Sequence, residues 1–237
     1  MKTALDADLN NELSRCAAGG CGLEEISRLI AQGADPKANG SEALYRAASC
    51  GHVECVRLLI QVSEPEAFGH GARALLWAAA NGHVECVKLL MPVSEANFDH
   101  SAPLRWAARN GHAECVAALL PASDASALYW QALQFAIGNG DAECVKLLIP
   151  EAPSPSLCES LFSSAMARGC AEVMAVLIGC APRILDGVDM PESRSKALAS
   201  GHLDLAALFS SIIDRQALTE TVHKCRAQPS LPLGGRL

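Results

Sequence analysis

The chain of 237 residues is 50% hydrophobic and 19% charged, which excludes the low-hydrophobicity, high-charge regime of intrinsic disorder. Only 4% of residues are aromatic, so the interior has to be built from Ala, Leu, Val, Ile and Cys, which suits closely spaced helices better than aromatic-rich strands. A net charge of -7, with the 19 Lys and Arg scattered singly, leaves no basic stripe for a phosphate backbone, and no apolar run reaches the roughly 18 residues of a bilayer span, so neither nucleic acid nor membrane is expected as a partner.

At the start of the chain, Met1 to Asn10 contains Asp6 and Asp8 and no apolar stretch, which speaks against a signal peptide. A cytoplasmic protein is expected, with export lacking a cleaved signal left open. The eleven cysteines are an odd set, and without an export signal reduced thiols are expected instead of a disulfide framework.

The stretch Gly82-His83-Val84-Glu85-Cys86-Val87-Lys88-Leu89-Leu90 recurs in near copies beginning at Gly51, Gly111 and Gly140. Aligned glycines at Gly20, Gly51, Gly82, Gly111, Gly140, Gly169 and Gly201 define seven units spaced 29 to 32 residues apart. Self-similarity at such a period marks a stacked array. The first unit reads Asn11-Glu12-Leu13-Ser14-Arg15, with an extra residue in its turn Gly19-Gly20-Cys21-Gly22. In the units that follow, Ala-rich helices are expected over 42–50, 73–81, 102–110, 131–139 and 160–168. Leu44/Ala47/Ala48, Leu75/Ala78/Ala79 and Leu104/Ala107/Ala108 repeat an i, i+3, i+4 pattern, the stripe of a helix that packs through methyl-sized contacts.

A second helix follows each glycine, burying Val56 and Leu59, Val87 and Leu90, or Val116 and Leu119. Glu54 with Arg57, Glu85 with Lys88, and Glu143 with Lys146 form outward i, i+3 pairs worth about 0.2 to 0.5 kcal/mol each. The glycine supplies the left-handed backbone that ends the first helix. The Pro-rich stretch 150–155 keeps the spacing and is expected to be a stiff loop between units, whereas 181–191 is longer and less regular. Arg194, Ser195 and Lys196 give the seventh unit a polar outer face, as an end cap requires. Leu218, Val222 and Cys225 mark one stripe of a helix over 214–226, either separate or continuous with 203–213, and the Pro- and Gly-bearing tail 227–237 is expected to be disordered.

At this point the residues carry a family resemblance. Ala102-Pro103-Leu104-Arg105-Trp106-Ala107-Ala108-Arg109-Asn110-Gly111-His112, followed by Cys115-Val116 and Leu119-Leu120, resembles the ankyrin repeat pattern Thr-Pro-Leu-His-x-Ala-Ala-x-x-Gly-His with its Val-Val and Leu-Leu helix. Leu29-Ile30-Ala31-Gln32-Gly33-Ala34-Asp35 is similar to the segment that closes an ankyrin unit. The resemblance covers about residues 9 to 213 and implies an all-α, ankyrin-like helix-turn-helix solenoid of about seven stacked repeats, capped at both ends, over 1–213. The period falls short of the family's 33, and the missing residues lie between units, so stunted β-turn fingers of a bacterial type are expected. The family's motif histidine is replaced by Tyr45, Leu76, Arg105 and Gln134.

The column Cys55, Cys86, Cys115 and Cys144 invites a metal or redox reading, but equivalent repeat positions lie roughly 8 to 10 Å apart. A disulfide needs Cα atoms within about 7 Å and a zinc needs sulfurs about 2.3 Å from one centre, so buried packing is the better reading. Cys50-Gly51-His52 with Cys55 is the best local ligand cluster, yet His83, His112 and His202 share the place of His52, which argues for a turn role. With no phosphate loop, nucleophile elbow or zinc helix motif, and no carboxylate pair in an apolar setting, no catalytic, cofactor or metal residue is expected.

The resemblance implies instead a non-enzymatic module, a monomer binding a protein partner on its concave surface as an adaptor or scaffold. Carried over by position, the partner-binding residues are Ser41, His70, Asp99 and Trp130 on the finger side, and Asn81, Arg109, Asn110, Asn139 and Arg168 at the helix ends. Trp130 is expected to be exposed, while Trp77 and Trp106, just before Ala-Ala, are assigned to the framework. The alternatives are a secreted bacterial effector acting on a host protein, and a self-associating structural protein using the Leu218 stripe.

Overall fold

The structure is a computed structural model and describes residues 4–63, 70–94, 98–123, 129–149 and 154–227. The stunted fingers expected between units fall largely on 64–69, 95–97 and 124–128, and the tail from 228 onward follows them outside the described residues. Fourteen α-helices run through the described residues, with no strand among them: α1 (Ala4–Gly19), α2 (Leu23–Ala31), α3 (Ala38–Ser49), α4 (Val53–Ser63), α5 (His70–Ala80), α6 (Val84–Leu90), α7 (Phe98–Arg109), α8 (Ala113–Leu119), α9 (Tyr129–Asn139), α10 (Ala142–Leu148), α11 (Pro155–Arg168), α12 (Ala171–Cys180), α13 (Met190–Ala199) and α14 (Leu203–Ala227). The chain divides into two compact units, Met1–Pro150 and Glu151–Leu237, with the division inside the Pro-rich stretch.

In the first unit the helices alternate in role. The first helices α1, α3, α5, α7 and α9 pack one on the next, and the second helices α2, α4, α6, α8 and α10 form a parallel row behind them. Small residues make the first row tight: Ala47, Ala48, Ala78, Ala79, Ala107 and Ala108 are each wholly buried, so neighbouring helices meet through methyl groups. Each second helix adds one large anchor, Leu59, Leu90, Leu119 or Leu148, all at 0% exposure and each worth about 1.5 to 3 kcal/mol of burial. Cys55, Cys86, Cys115 and Cys144 lie beside those leucines at 0 to 4% exposure, the core position expected for them.

The turns between the two helices of a unit share one glycine conformation. The seven aligned glycines have φ between +66° and +79°, a region costly for any residue with a Cβ. Beyond the glycine a backbone N–H reaches back five residues, as in His52 N to Ala47 O at 3.0 Å, His83 N to Ala78 O at 2.9 Å and His112 N to Ala107 O at 2.9 Å. This closure satisfies a carbonyl that the helix end leaves open. Outward i, i+3 ion pairs sit on the second helices as expected, with Lys88 Nζ 2.7 Å from Glu85, Arg57 Nε 3.6 Å from Glu54 and Lys146 Nζ 3.7 Å from Glu143.

The second unit contains α11 to α14. Leu161, Ala165, Val173, Met174, Leu177 and Phe209 form its core, and the Phe162 and Phe209 rings meet with centroids 6.2 Å apart. The irregular segment after α12 makes a 3₁₀ turn, Pro182–Leu185, which carries Ile184 into that core at 2% exposure. The final helix α14 is continuous from Leu203 to Ala227, so the stripe over 214–226 extends the second helix of the last pair. Its residues 214–219 are exposed, Leu218 at 70%.

Candidate protein-binding face

Of the four repeat junctions in the first unit, three are tied by a histidine and three by an asparagine. His83 Nε2 lies 3.0 Å from Ser49 O, His112 Nε2 3.0 Å from Ala80 O, and His52 Nε2 2.8 Å from Ala18 O. A carbonyl only accepts, so Nε2 carries the proton in each. The ring also lies over the glycine of the preceding repeat: a Cβ added at Gly82 would stand 2.6 Å from His112 Nδ1. The side-chain amide of Asn81 donates to Ser49 O at 2.9 Å and that of Asn110 to Ala80 O at 2.6 Å, and Asn139 donates to Arg109 O. In the fifth repeat Asp141 takes the place of the histidine and caps its own helix, accepting from Cys144 N at 2.9 Å.

Above these ties the first helices expose a strip of aromatic and arginine side chains. Trp77 on α5, Trp106 on α7 and Phe135 on α9 occupy the same place in successive repeats and are 42, 40 and 37% exposed. The Arg109 guanidinium lies 4.9 Å from the Trp106 ring centroid and 5.5 Å from that of Phe135, so one cation bridges two rungs. Toward the other end, Arg73 stands 4.0 Å over the Tyr45 ring. Arg46 is held by Glu42 at 2.8 Å, and that hydrogen bond, with a second from Asn39, keeps the Glu42 carboxyl below its usual range. Arg105 donates to Asp99 O at 2.8 Å and to Gln131 at 3.1 Å, tying α7 to α9. Cation-over-ring contacts preorganise both partners, each worth about 0.5 to 1 kcal/mol at exposed sites. Exposed aromatic residues with arginine between them are the composition of binding hot spots.

The buried thiols offer no such chemistry. Burial pushes Cys86 and Cys115 up from 9.0 to about 11, and burial with the nearby Asp141 pushes Cys144 to about 12. Among the described residues no group of three His, Cys, Asp or Glu side chains is placed to hold a metal ion, and no helix is long and apolar enough to cross a membrane.

A family model described as ankyrin repeats, in three copies, matches residues 13–102, 62–129 and 104–186, well over half of the chain. The chain belongs to the ankyrin repeat family. The crystal structure of the human ASB11 ankyrin repeat domain is similar to it with a TM-score of 0.58 and 24% sequence identity, the match covering 71% of this chain and 83% of that one; this likeness concerns the fold. No curated protein matches in sequence. Ankyrin repeats are generally protein–protein interaction modules and typically carry no catalytic activity.

Within this ankyrin array the residues expected to bind a partner fall into different settings. Ser41 is 1% exposed, sits in left-handed backbone at φ +55° and is hydrogen-bonded to His70 Nδ1 at 3.1 Å. Ser41 and His70 therefore join two repeats to each other. Asn81, Asn110 and Asn139 are exposed but spend their amides on the carbonyls of the preceding repeat. Asp99 is exposed and lies 3.7 Å from Arg105, and Arg168 is exposed in the second unit. Arg109 stands at the centre of the strip. Trp130 is half-buried near the start of α9, whereas Trp77 and Trp106, assigned to the framework, are the more exposed.

The sequence contains a signal for that reversal. Trp77 lies four residues from both Arg73 and Asn81, and Phe135 four from both Gln131 and Asn139, so each aromatic is centred on an i, i+4, i+8 stripe whose other members are exposed.

Proposed function

We propose that the protein is a non-enzymatic adaptor or scaffold that binds a protein partner on the first-helix face of the unit Met1–Pro150. The observation that supports this reading is the strip Trp77, Trp106 and Phe135 with Arg109 across its last two rungs. Three large apolar side chains held in one row on packed helices lose little further freedom when covered. In the ankyrin family the ends of the first helices face the concave side, where partners are usually bound. The deciding experiment compares proteins retained by the immobilised full chain and by Trp106→Ala with Arg109→Ala. A protein held by the wild type and lost from this variant supports the reading, provided Glu85→Ala with Lys88→Ala on the second-helix face retains it and helicity is unchanged. Equal retention by both variants rejects the face.

A further inference from the structure

The first repeat junction differs from the next three in the residues that close it. The bond that reaches back five residues over the glycine joins histidine to alanine at His52/Ala47, His83/Ala78 and His112/Ala107, but in the first repeat it joins Cys21 to Cys16, N to O, at 3.1 Å. Side chains at the two ends of this closure meet on one side of the turn. A link of 3.1 Å between amide nitrogen and carbonyl oxygen keeps the two Cα atoms within about 7 Å, the limit for a disulfide. The Cys21 thiol is near enough to act electrostatically on Cys16. Cys16 is buried at 7% exposure, while Cys21 is half-exposed and lines two open clefts, one with Glu12, Arg15 and Cys16 and one with Gly51, His52 and Cys55. Its carbonyl accepts from the Cys55 thiol at 3.6 Å, which anchors the turn to the second repeat.

We propose that Cys16 and Cys21 form an oxidation site that takes a hydroperoxide and stores the result as a disulfide. The more accessible sulfur, Cys21, attacks the peroxide; the O–O bond breaks, an alcohol or water leaves, and Cys21 becomes a sulfenic acid. The Cys16 sulfur then attacks Cys21, the S–O bond breaks, and the thiol proton leaves with the hydroxyl as water. One peroxide is reduced and two thiols are oxidised. Cys16, buried at 7% exposure and pushed up to about 12 by burial and the neighbouring Cys21, is the less accessible sulfur and gives up its proton as it attacks Cys21 in the second step. The geometry separates this pair from Cys86, Cys115 and Cys144, which are buried at 0 to 1% exposure.

The test treats the full chain with one equivalent of hydrogen peroxide, blocks remaining thiols with an alkylating agent and maps peptides after trypsin. The expected result is loss of alkylation at both cysteines of peptide 16–28, restored by dithiothreitol, ahead of the exposed Cys50 and Cys180. Cys16→Ala installs the residue present at Ala47, Ala78 and Ala107, so the variant should keep wild-type helicity and leave Cys21 as a sulfenic acid trapped by dimedone. Oxidation at Cys50 or Cys180 with Cys21 still alkylated, or dimedone labelling of Cys21 to the same extent in wild type and variant, overturns the proposal.

Discussion

At the residue scale, Gly82 and Cys86 show how one nine-residue motif is constrained twice. Gly82 has φ +79°, and a Cβ there would also strike the His112 ring 2.6 Å away. Gly82→Ala is therefore expected to cost about 1 to 3 kcal/mol from the left-handed backbone alone, and more as His112 is displaced from Ala80 O; urea unfolding checks this. Cys86 is fully buried, and Cys86→Ser is expected to cost about 1 to 3 kcal/mol by leaving a poorly satisfied hydroxyl in the core. The thiols also set an alkaline limit. Their folded values of about 11 and about 12 lie above 9.0, so the folded state holds its protons longer than the unfolded chain. Stability from this source is complete below pH 9 and falls as pH rises from 9 toward 11 to 12. The urea midpoint should decline over that window, and less steeply after Cys86, Cys115 and Cys144 are changed to Ala.

At the element scale, the repeating pair of helices was legible because its period, its glycine and its apolar stripe all agree. The positive φ values at the seven glycines and the buried Val and Leu anchors follow from local rules that need no knowledge of the neighbouring repeat. Ties between repeats do not: Asn81 and Asn110 look like free polar residues at a helix end, and only the stacked neighbour reveals that each amide meets a carbonyl about thirty residues earlier in the chain. Trp77 was obscured differently, since the buried Ala-Ala beside it masks the outward i+4 stripe on which it lies, and Trp106 has only Asn110 as an exposed member of that stripe because Ala102 is buried. Asn110→Ala is expected to destabilise by about 0.5 to 1.5 kcal/mol through loss of the bond to Ala80 O. Loss of a partner by Asn110→Ala at unchanged stability would instead make it a contact residue.

At the scale of the whole molecule, the first unit is a nearest-neighbour array whose stability is the sum of repeats and junctions. Junctions are therefore the natural currency for comparing its parts. The continuous α14 exposes Leu218 at 70%, and size-exclusion with light scattering is expected to give the mass of one chain both for the full protein and for one lacking the residues after Ile213. Asp141 bears on the first unit. Where the second, third and fourth repeats clamp their predecessor with a histidine ring, the fifth uses its side chain to cap its own helix, so the packing of α9 on α7 is supplemented by the Asn139 amide and the bridge from Arg105 to Gln131 without a ring clamp. A chain of couplings yields first at its weakest one, so amides of α9 and α10 should exchange with solvent before those of α5 and α6. The third rung of the aromatic strip, Phe135, then rides on the segment that opens most readily, and a partner that covers all three rungs would act as a splint, slowing exchange in α9 and α10 more than anywhere else in the unit.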